Sequence, residues 1–317
     1  MKILTILLLI FLLSSVLFGM ATGVLTIPKS FTINVRDYII ETHREGYPSG
    51  LIPVDDDVEG EPYTHRIPYM GEQDVSKSGV DWDPTQALAE AKLNYADCSL
   101  FVQQINLGFR SRDFRHTKKL ELNAKVREII DKFLDEIDHD IFHGKTEGNV
   151  TLQTGLLAQA TSVVDLDGTD SALVDAASLL AGLKKMVTTI PVKYRSKYPI
   201  VMIMDHTLAE TCATTFIGDS SVSVLQAFQN AFPYVTIERN NSAVLTSGTD
   251  TAGTHSRVLV FPQSTKILQR VIAKPVSPVG PALVDLTGGV QQLWGTLFGI
   301  KVVFSDAVLY SEQIVYA

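Results

Sequence analysis

Cysteine is nearly absent, with Cys98 and Cys212 the only two in 317 residues. That excludes a disulfide framework and fits a reducing compartment or a fold indifferent to redox state. Positive charge is also short: Lys and Arg total 27 against 35 Asp and Glu, a formal net charge of -8. Such a balance argues against coating nucleic acid with the whole surface, because that binding depends on cations neutralising phosphates. It leaves room for one local basic patch. There is no GxSxG, no Rossmann glycine fingerprint and no cysteine pair at metal-ligand spacing, which weakens the case for catalysis without excluding it. No fixed-period repeat is present. The rest is an ordinary globular composition, 45% hydrophobic and 20% charged, in a chain long enough for one elaborate domain or two simpler ones.

The clearest conformational signal is Lys118 to Phe142. Apolar residues at Leu122, Val126, Ile129, Ile130, Phe133, Ile137 and Ile141 keep the three-and-four spacing of one helical face. Lys125, Arg127, Glu128, Asp131, Lys132, Asp135, Glu136 and Asp138 fall opposite, so the pattern predicts an amphipathic helix lying on something. Neither Gly nor Pro interrupts it, and Gly144 follows as a C-terminal cap. Fully helical, this stretch is about 40 Å long, the width of a domain. We read it as a spine.

Before the spine, residues 1–19 read as a leader: one Lys, an apolar run from Ile3 to Leu13, then small residues. Three readings stay open, a signal peptide, an extension ahead of a true start at Met20, and a short membrane anchor. Residues 24–62 show no sustained period. Pro28, Pro48, Pro53 and Pro62, with the acidic run Asp55, Asp56, Asp57, Glu59 and Glu61, predict an extended arm. Strand-like pieces at Thr64 to Met70 and Ser99 to Phe109 flank a polar, glycine-bearing tip around Gly71 to Asp83, with a short helical run at Thr85 to Leu93. A hairpin of this size cannot bury itself alone and is expected to rest on a neighbouring subunit.

After the spine, Ser171 to Thr188 carries Leu173, Ala177, Leu180, Leu183 and Val187 on one side of a second helix. Tyr198 to Met204 is a continuous apolar run, as expected of a strand buried on both faces. Helices are expected at Leu208 to Phe216 and Ser223 to Phe232, and strands at Tyr234 to Glu238, Arg257 to Phe261 and Ile267 to Val271. This alternation predicts an α/β subdomain. Pro275, Pro278, Gly280 and Pro281 punctuate the chain, and two strand-like runs, Val290 to Phe298 and Ile300 to Leu309, split at Gly299, close it.

Few residues carry chemistry. Asp135, His139 and His143 are spaced four apart and could share a helix face, as a divalent metal site or even a metal-dependent hydrolase requires. The plainer reading is the solvated end of a charged helix, with His143 favoured by the dipole. Gly144-Lys145-Thr146 has the tail of a phosphate-binding loop, but His139 stands where that motif needs Gly. The acidic turn from Asp165 to Asp170 places Gly168 wrongly for an EF-hand loop and reads as a plain turn. Arg110, Arg112, Arg115, His116, Lys118 and Lys119 form the one basic cluster. It could face nucleic acid. It could equally pair with Asp55, Asp56, Asp57 and Glu59 of the same or a neighbouring chain, the reading we favour because the total charge is negative. Asn149-Val150-Thr151 and Asn240-Asn241-Ser242 match the glycosylation acceptor pattern, which matters only if the leader exports the chain.

The order of arm, long two-stranded excursion, spine helix, α/β subdomain and terminal strands resembles the major capsid proteins of tailed bacteriophages, the Hong Kong 97-type fold. The likeness rests on SLFVQQINLGFRSRDF leading into KKLELNAKVREIIDKFLDEIDHDIFHGK, on LQTGLL at Leu152 to Leu157, and on the closing GVQQLWGTLFGIKVVFSDAVLYSEQI. It implies an α+β fold with an N-arm (20–62), an E-loop (63–114), a peripheral domain (115–180 and 267–317) holding the spine helix, and an axial domain (181–266). It also implies a structural, non-enzymatic role without cofactors: pentamers and hexamers of an icosahedral shell, loosely contacted double-stranded DNA, and portal, scaffolding or decoration proteins as partners. No small-molecule substrate is implied. Such proteins assemble in the host cytoplasm into virions, so the resemblance favours Met20 as the true start. Two alternatives stand beside it: an encapsulin-like compartment shell, and an exported or envelope-anchored binding protein if the leader is a signal peptide. Lys77 in the expected tip is no sign of a covalent crosslink.

Overall fold

Between Pro28 and Pro48 no proline interrupts the chain, and in the computed structural model Lys29–Gly46 is a helix, α1, that buries Val35 and Ile39. The structure describes residues 29–55, 60–61, 64–70, 93–110, 124–163, 175–218, 221–250, 253–284 and 289–316. The helix corrects the expectation of an irregular arm over this stretch: a one-turn repeat of two apolar residues suffices once a core receives them. Among the described residues no helix is long and apolar enough to cross a membrane. The leader lies outside the described residues.

Short strands β1 (Val54–Asp55) and β2 (Gly60–Glu61) precede β3 (Thr64–Met70). The second strand expected at Ser99 to Phe109 is β5 (Phe101–Arg110), and a strand the sequence did not suggest, β4 (Leu93–Ser99), precedes it and parts from it at Leu100. Strand β4 pairs antiparallel with β3 from Thr64 opposite Ser99 to Met70 opposite Leu93, whereas β5 joins a different sheet. Leu93 therefore starts a strand and ends no helix; the rest of the helical run expected at Thr85 to Leu93, like the tip at Gly71 to Asp83, lies outside the described residues.

The spine is α2, Ala124–His143, and the part of its expected range before Ala124 is not described. Its described length is about 30 Å. Gly144 follows at φ 88°, the left-handed position that ends a helix, and opens a hairpin of β6 (Gly144–Glu147) and β7 (Val150–Thr154). Then come α3 (Leu156–Gln159), β8 (Thr161–Ser162), α4 (Ala176–Thr189), α5 (Val192–Arg195) and β9 (Ile200–Asp205). Every residue of β9 is buried, as its unbroken apolar run predicts. Helices α6 (His206–Thr214) and α7 (Val224–Ala231) precede β10 (Val235–Asn240), β11 (Thr246–Asp250) and β12 (Gly253–Pro262). Strands β13 (Leu268–Val284), β14 (Gly289–Val302) and β15 (Leu309–Tyr316) close the chain.

Strands run in the order β10-β9-β12-β15-β8 in one sheet, with β9 and β10 parallel and β12 antiparallel to both β9 and β15. Helix α4 packs on α7 and β15, and α6 packs on α7, β9 and β15. The predicted stripe on α4 is turned by about one residue. Leu179, Gly182, Leu183, Met186 and Val187 are the buried positions, and Ala177 is exposed. A second sheet has the order β1-β13-β14-β5. Here two sequence-based breaks disappear. Strand β13 runs through Pro275, Pro278 and Pro281, because β1 reaches only Arg270 and Val271 and the edge beyond is free of a described strand, where a missing N–H costs nothing. Strand β14 passes straight through Gly299, whose glycine answers a close approach: a Cβ there would lie 2.4 Å from the Ser99 carbonyl oxygen.

The chain divides into two compact units, one of Met1–His43, Val102–Glu136 and Lys274–Leu297, the other of Arg44–Phe101, Ile137–Ala273 and Phe298–Ala317. In the first, Leu107, Ile130, Leu134 and Trp294 are fully buried, and the Arg127 guanidinium sits 5.7 Å from the Tyr38 ring centre. The second holds the sheet of β9 and β12, whose Ile200, Met202, Val258 and Phe261 are fully buried.

Candidate functional sites

The last turns of α2 sit in the second unit and concentrate its polar chemistry. Asp138, expected on the solvent face, is fully buried. Its Oδ1 accepts the Ser49 backbone N–H at 2.9 Å and its Oδ2 accepts the Ser242 hydroxyl at 2.6 Å. Arg270 is also buried, and desolvation pulls its guanidinium down to about 10, with the Asp138 charge opposing that shift. A buried charge is tolerable only with such partners. Asn240 extends the group: its side-chain N–H donates to the Gly46 carbonyl at 2.8 Å, and its oxygen accepts the Ser242 N–H at 2.8 Å. The sequence offered Asn240 and Ser242 only as a glycosylation acceptor pattern and showed no sign of this joint, whose long-range bonds join positions 89 to 194 apart.

Two residues beyond Asp138, Asp140 accepts Lys145 Nζ at 3.0 Å, an ion pair that ties the first strand of the hairpin to α2 and sets Lys145 in a helix-to-hairpin turn, not in a phosphate-binding loop. His139 and His143 face each other with ring centres 4.7 Å apart and planes 33° from parallel. Partial burial, then the positive charges of His139 and Arg257, lower the His143 pKa below the ordinary imidazole value, while Glu312 opposes them. Asp135, the third member of the expected metal set, is exposed. Among the described residues no group of three or more His, Cys, Asp or Glu side chains is placed to hold a metal ion. Nearby, buried Arg257 donates from Nε to Glu312 Oε1 at 2.9 Å and from Nη1 to the Val244 carbonyl.

Both cysteines are buried. Burial pushes the Cys98 thiol up to about 12, Lys301 offsetting a little, and the Cys212 thiol up to about 11, so neither is a thiolate nucleophile at neutral pH. A polar cavity of about 110 Å³ is lined by residues that include Asp97, Ser99, Gln153, Thr154 and Lys301. Gln153 is 3% exposed, and among the described residues its amide nitrogen and oxygen have no hydrogen-bond partner. The volume suits a few ordered waters.

Of the expected interface residues, Asp55 lies in β1 and its carboxylate is 3.8 Å from His65 Nε2, a neighbour the sequence did not suggest. Arg110 is the last residue of β5. Asp56, Asp57, Glu59, Arg112, Arg115, Lys118 and Lys119 lie outside the described residues.

No family model matches the sequence, and no curated protein matches it. Solved structures do. The capsid of Myoviridae phage XM1 superposes with a TM-score of 0.56 at 17% identity, over 84% of this chain and 90% of that one. A virus-like particle from Pyrococcus furiosus gives 0.55 at 11% identity, over 89% and 99%. The capsid of the native GTA particle gives 0.52 at 12% identity, over 87% and 91%. This is the Hong Kong 97-type capsid fold. Within the Hong Kong 97-type fold, α2 is the spine helix, β3 and β4 are the base of the E-loop hairpin, and the sheet of β9, β10 and β12 with α4, α6 and α7 is the α/β lobe.

Proposed function

We propose that this chain is the major shell protein of a phage head, many copies of it closing into an icosahedral container for double-stranded DNA. The carrying observation is a whole-chain fold match, over 84% or more of its length, to proteins that build capsids. Shell building needs large shared surfaces in place of a catalytic pocket, and the role is structural. Copies would group as pentamers and hexamers. The E-loop around Gly71 to Asp83 would reach over one neighbour, while residues 20–62 contact another. Asp55, Asp56, Asp57 and Glu59 of one copy would pair with Arg110, Arg112, Arg115, Lys118 and Lys119 of the next. The domain boundaries expected from the sequence, peripheral 115–180 and 267–317 and axial 181–266, belong to this proposal. A net charge of -8 suits a wall that contains DNA without adhering to it. Portal, scaffolding or decoration proteins would complete the particle, assembled in a host cytoplasm and kept in the virion.

Electron microscopy of the expressed chain, both whole and begun at Met20, tests this reading. Closed shells are expected; only monomers or small oligomers under assembly conditions would overturn it. The likeness to the Pyrococcus furiosus particle supports a second reading, an encapsulin-like compartment. The contents of native particles separate the two: nuclease-protected double-stranded DNA for the head, a cargo protein for the compartment.

A further inference from the structure

The geometry points to a two-imidazole chelate at the end of the spine helix, in which His139 and His143 hold one transition-metal dication, Cu²⁺ ahead of Ni²⁺ and Zn²⁺, with water completing its coordination. The two residues stand four apart on one face of α2, the spacing at which helical histidines can share an ion. Their ring centres are 4.7 Å apart. An imidazole nitrogen sits about 1.1 Å from its ring centre and about 2.0–2.1 Å from a bound ion. Two rings in neighbouring positions of a square arrangement therefore place their centres about 4.4–4.5 Å apart, and a tetrahedral angle spreads them to about 5.1–5.2 Å. The observed 4.7 Å lies nearer the square case than the tetrahedral one. That geometry is the preference of Cu²⁺ and Ni²⁺, and Cu²⁺ heads the general affinity order.

The neighbours fit this reading. Asp140 Oδ1 lies 3.7 Å from His139 Nδ1, and the same carboxylate is anchored through Oδ2 by Lys145 at 3.0 Å. At 3.7 Å the carboxylate is a charge neighbour of the ring and not a hydrogen-bond partner, and it adds favourable negative charge beside a bound cation. Two cations lie close by, Lys145 and Arg257, and each is matched by an acid: Lys145 by Asp140, and Arg257 by Glu312. The His139 side chain is 63% exposed, so an ion reaches it from solvent. The site is complete within one chain and does not depend on shell assembly.

The test uses the whole chain, free of any histidine tag and stripped with a chelator, titrated with CuCl₂, NiCl₂ and ZnCl₂ in a calorimeter. One Cu²⁺ per chain is expected at a Kd of about 1–10 µM, with nitrogen hyperfine structure from two imidazoles in the electron paramagnetic resonance spectrum. Ni²⁺ and Zn²⁺ should bind more weakly. His139→Ala should weaken Cu²⁺ at least about tenfold, the loss that removing even an outer-sphere partner brings. His206→Ala, at a histidine on α6, should change nothing. Absence of saturable one-to-one binding below about 100 µM, or undiminished binding by His139→Ala, overturns the assignment. If His143→Ala does not fold, the exposed His139 variant still decides.

Discussion

Asp135 and Asp138 stand three residues apart on the same helix and read alike in the sequence, yet one is exposed and the other is fully buried. The difference is made by three remote partners, the Ser49 N–H, the Ser242 hydroxyl and the Arg270 charge. A charged stripe on a helix therefore marks either a solvated face or a buried polar joint. Only the positions that fold against it tell which.

The sharpest break in that comparison is Asp138→Ala, expected to cost about 3–5 kcal/mol by removing the carboxylate from a buried joint that holds the Arg270 charge, the Ser49 N–H and the Ser242 hydroxyl. Asp135→Ala should stay within about 0.5 kcal/mol. Urea unfolding of both variants measures the contrast. Next comes Gly144→Ala, where the residue sits at φ 88° and a Cβ would lie 2.5 Å from the Gln153 carbonyl oxygen. Strain of this kind costs about 1–3 kcal/mol, read as a drop in unfolding midpoint. Gly148→Ala also demands a left-handed backbone, but in open space. It should cost less, about 1–2 kcal/mol.

The smallest effect sharpens the contrast from the exposed side. Asp175 caps α4, accepting the backbone N–H groups of Ala177 and Ser178, each at 2.9 Å. Bonds from Ser178, backbone and hydroxyl, hold its pKa below the ordinary carboxylate value. A depressed folded pKa stabilises above the unfolded value near 3.8 and is lost as pH falls through the lower folded one. The stability gap between the wild type and Asp175→Ala should thus be constant near neutrality and close in acid below about pH 4. Thermal unfolding at a series of pH values reads it.

What the sequence made legible was local. The unbroken run at Tyr198 to Met204 became β9, Thr64 to Met70 became β3 with those bounds, and the three-and-four spacing from Val126 to Ile141 became α2. These follow from neighbours in the chain, as did the order of elements that carried the resemblance to capsid proteins. Failures came where a distant segment decides. Prolines suggested a break in β13 because nothing local reveals that its outer edge lacks a described partner. Gly299 suggested a turn because the approaching Ser99 carbonyl lies 200 positions earlier in the numbering. The polar joint at Asp138 was invisible for the same reason. The histidine pair was legible as a spacing, while its ring separation and the nearby Asp140 carboxylate depend on how the helix end is packed.

The two sealed thiols give the molecule a pair of internal clocks. Cys98 is carried by β4 of the E-loop hairpin and Cys212 by α6 of the α/β lobe. An alkylating reagent can reach either sulfur only when its element opens, so each modification rate counts the openings of one region. Followed side by side in free subunits and in particles, the two rates would show which element a closed lattice restrains.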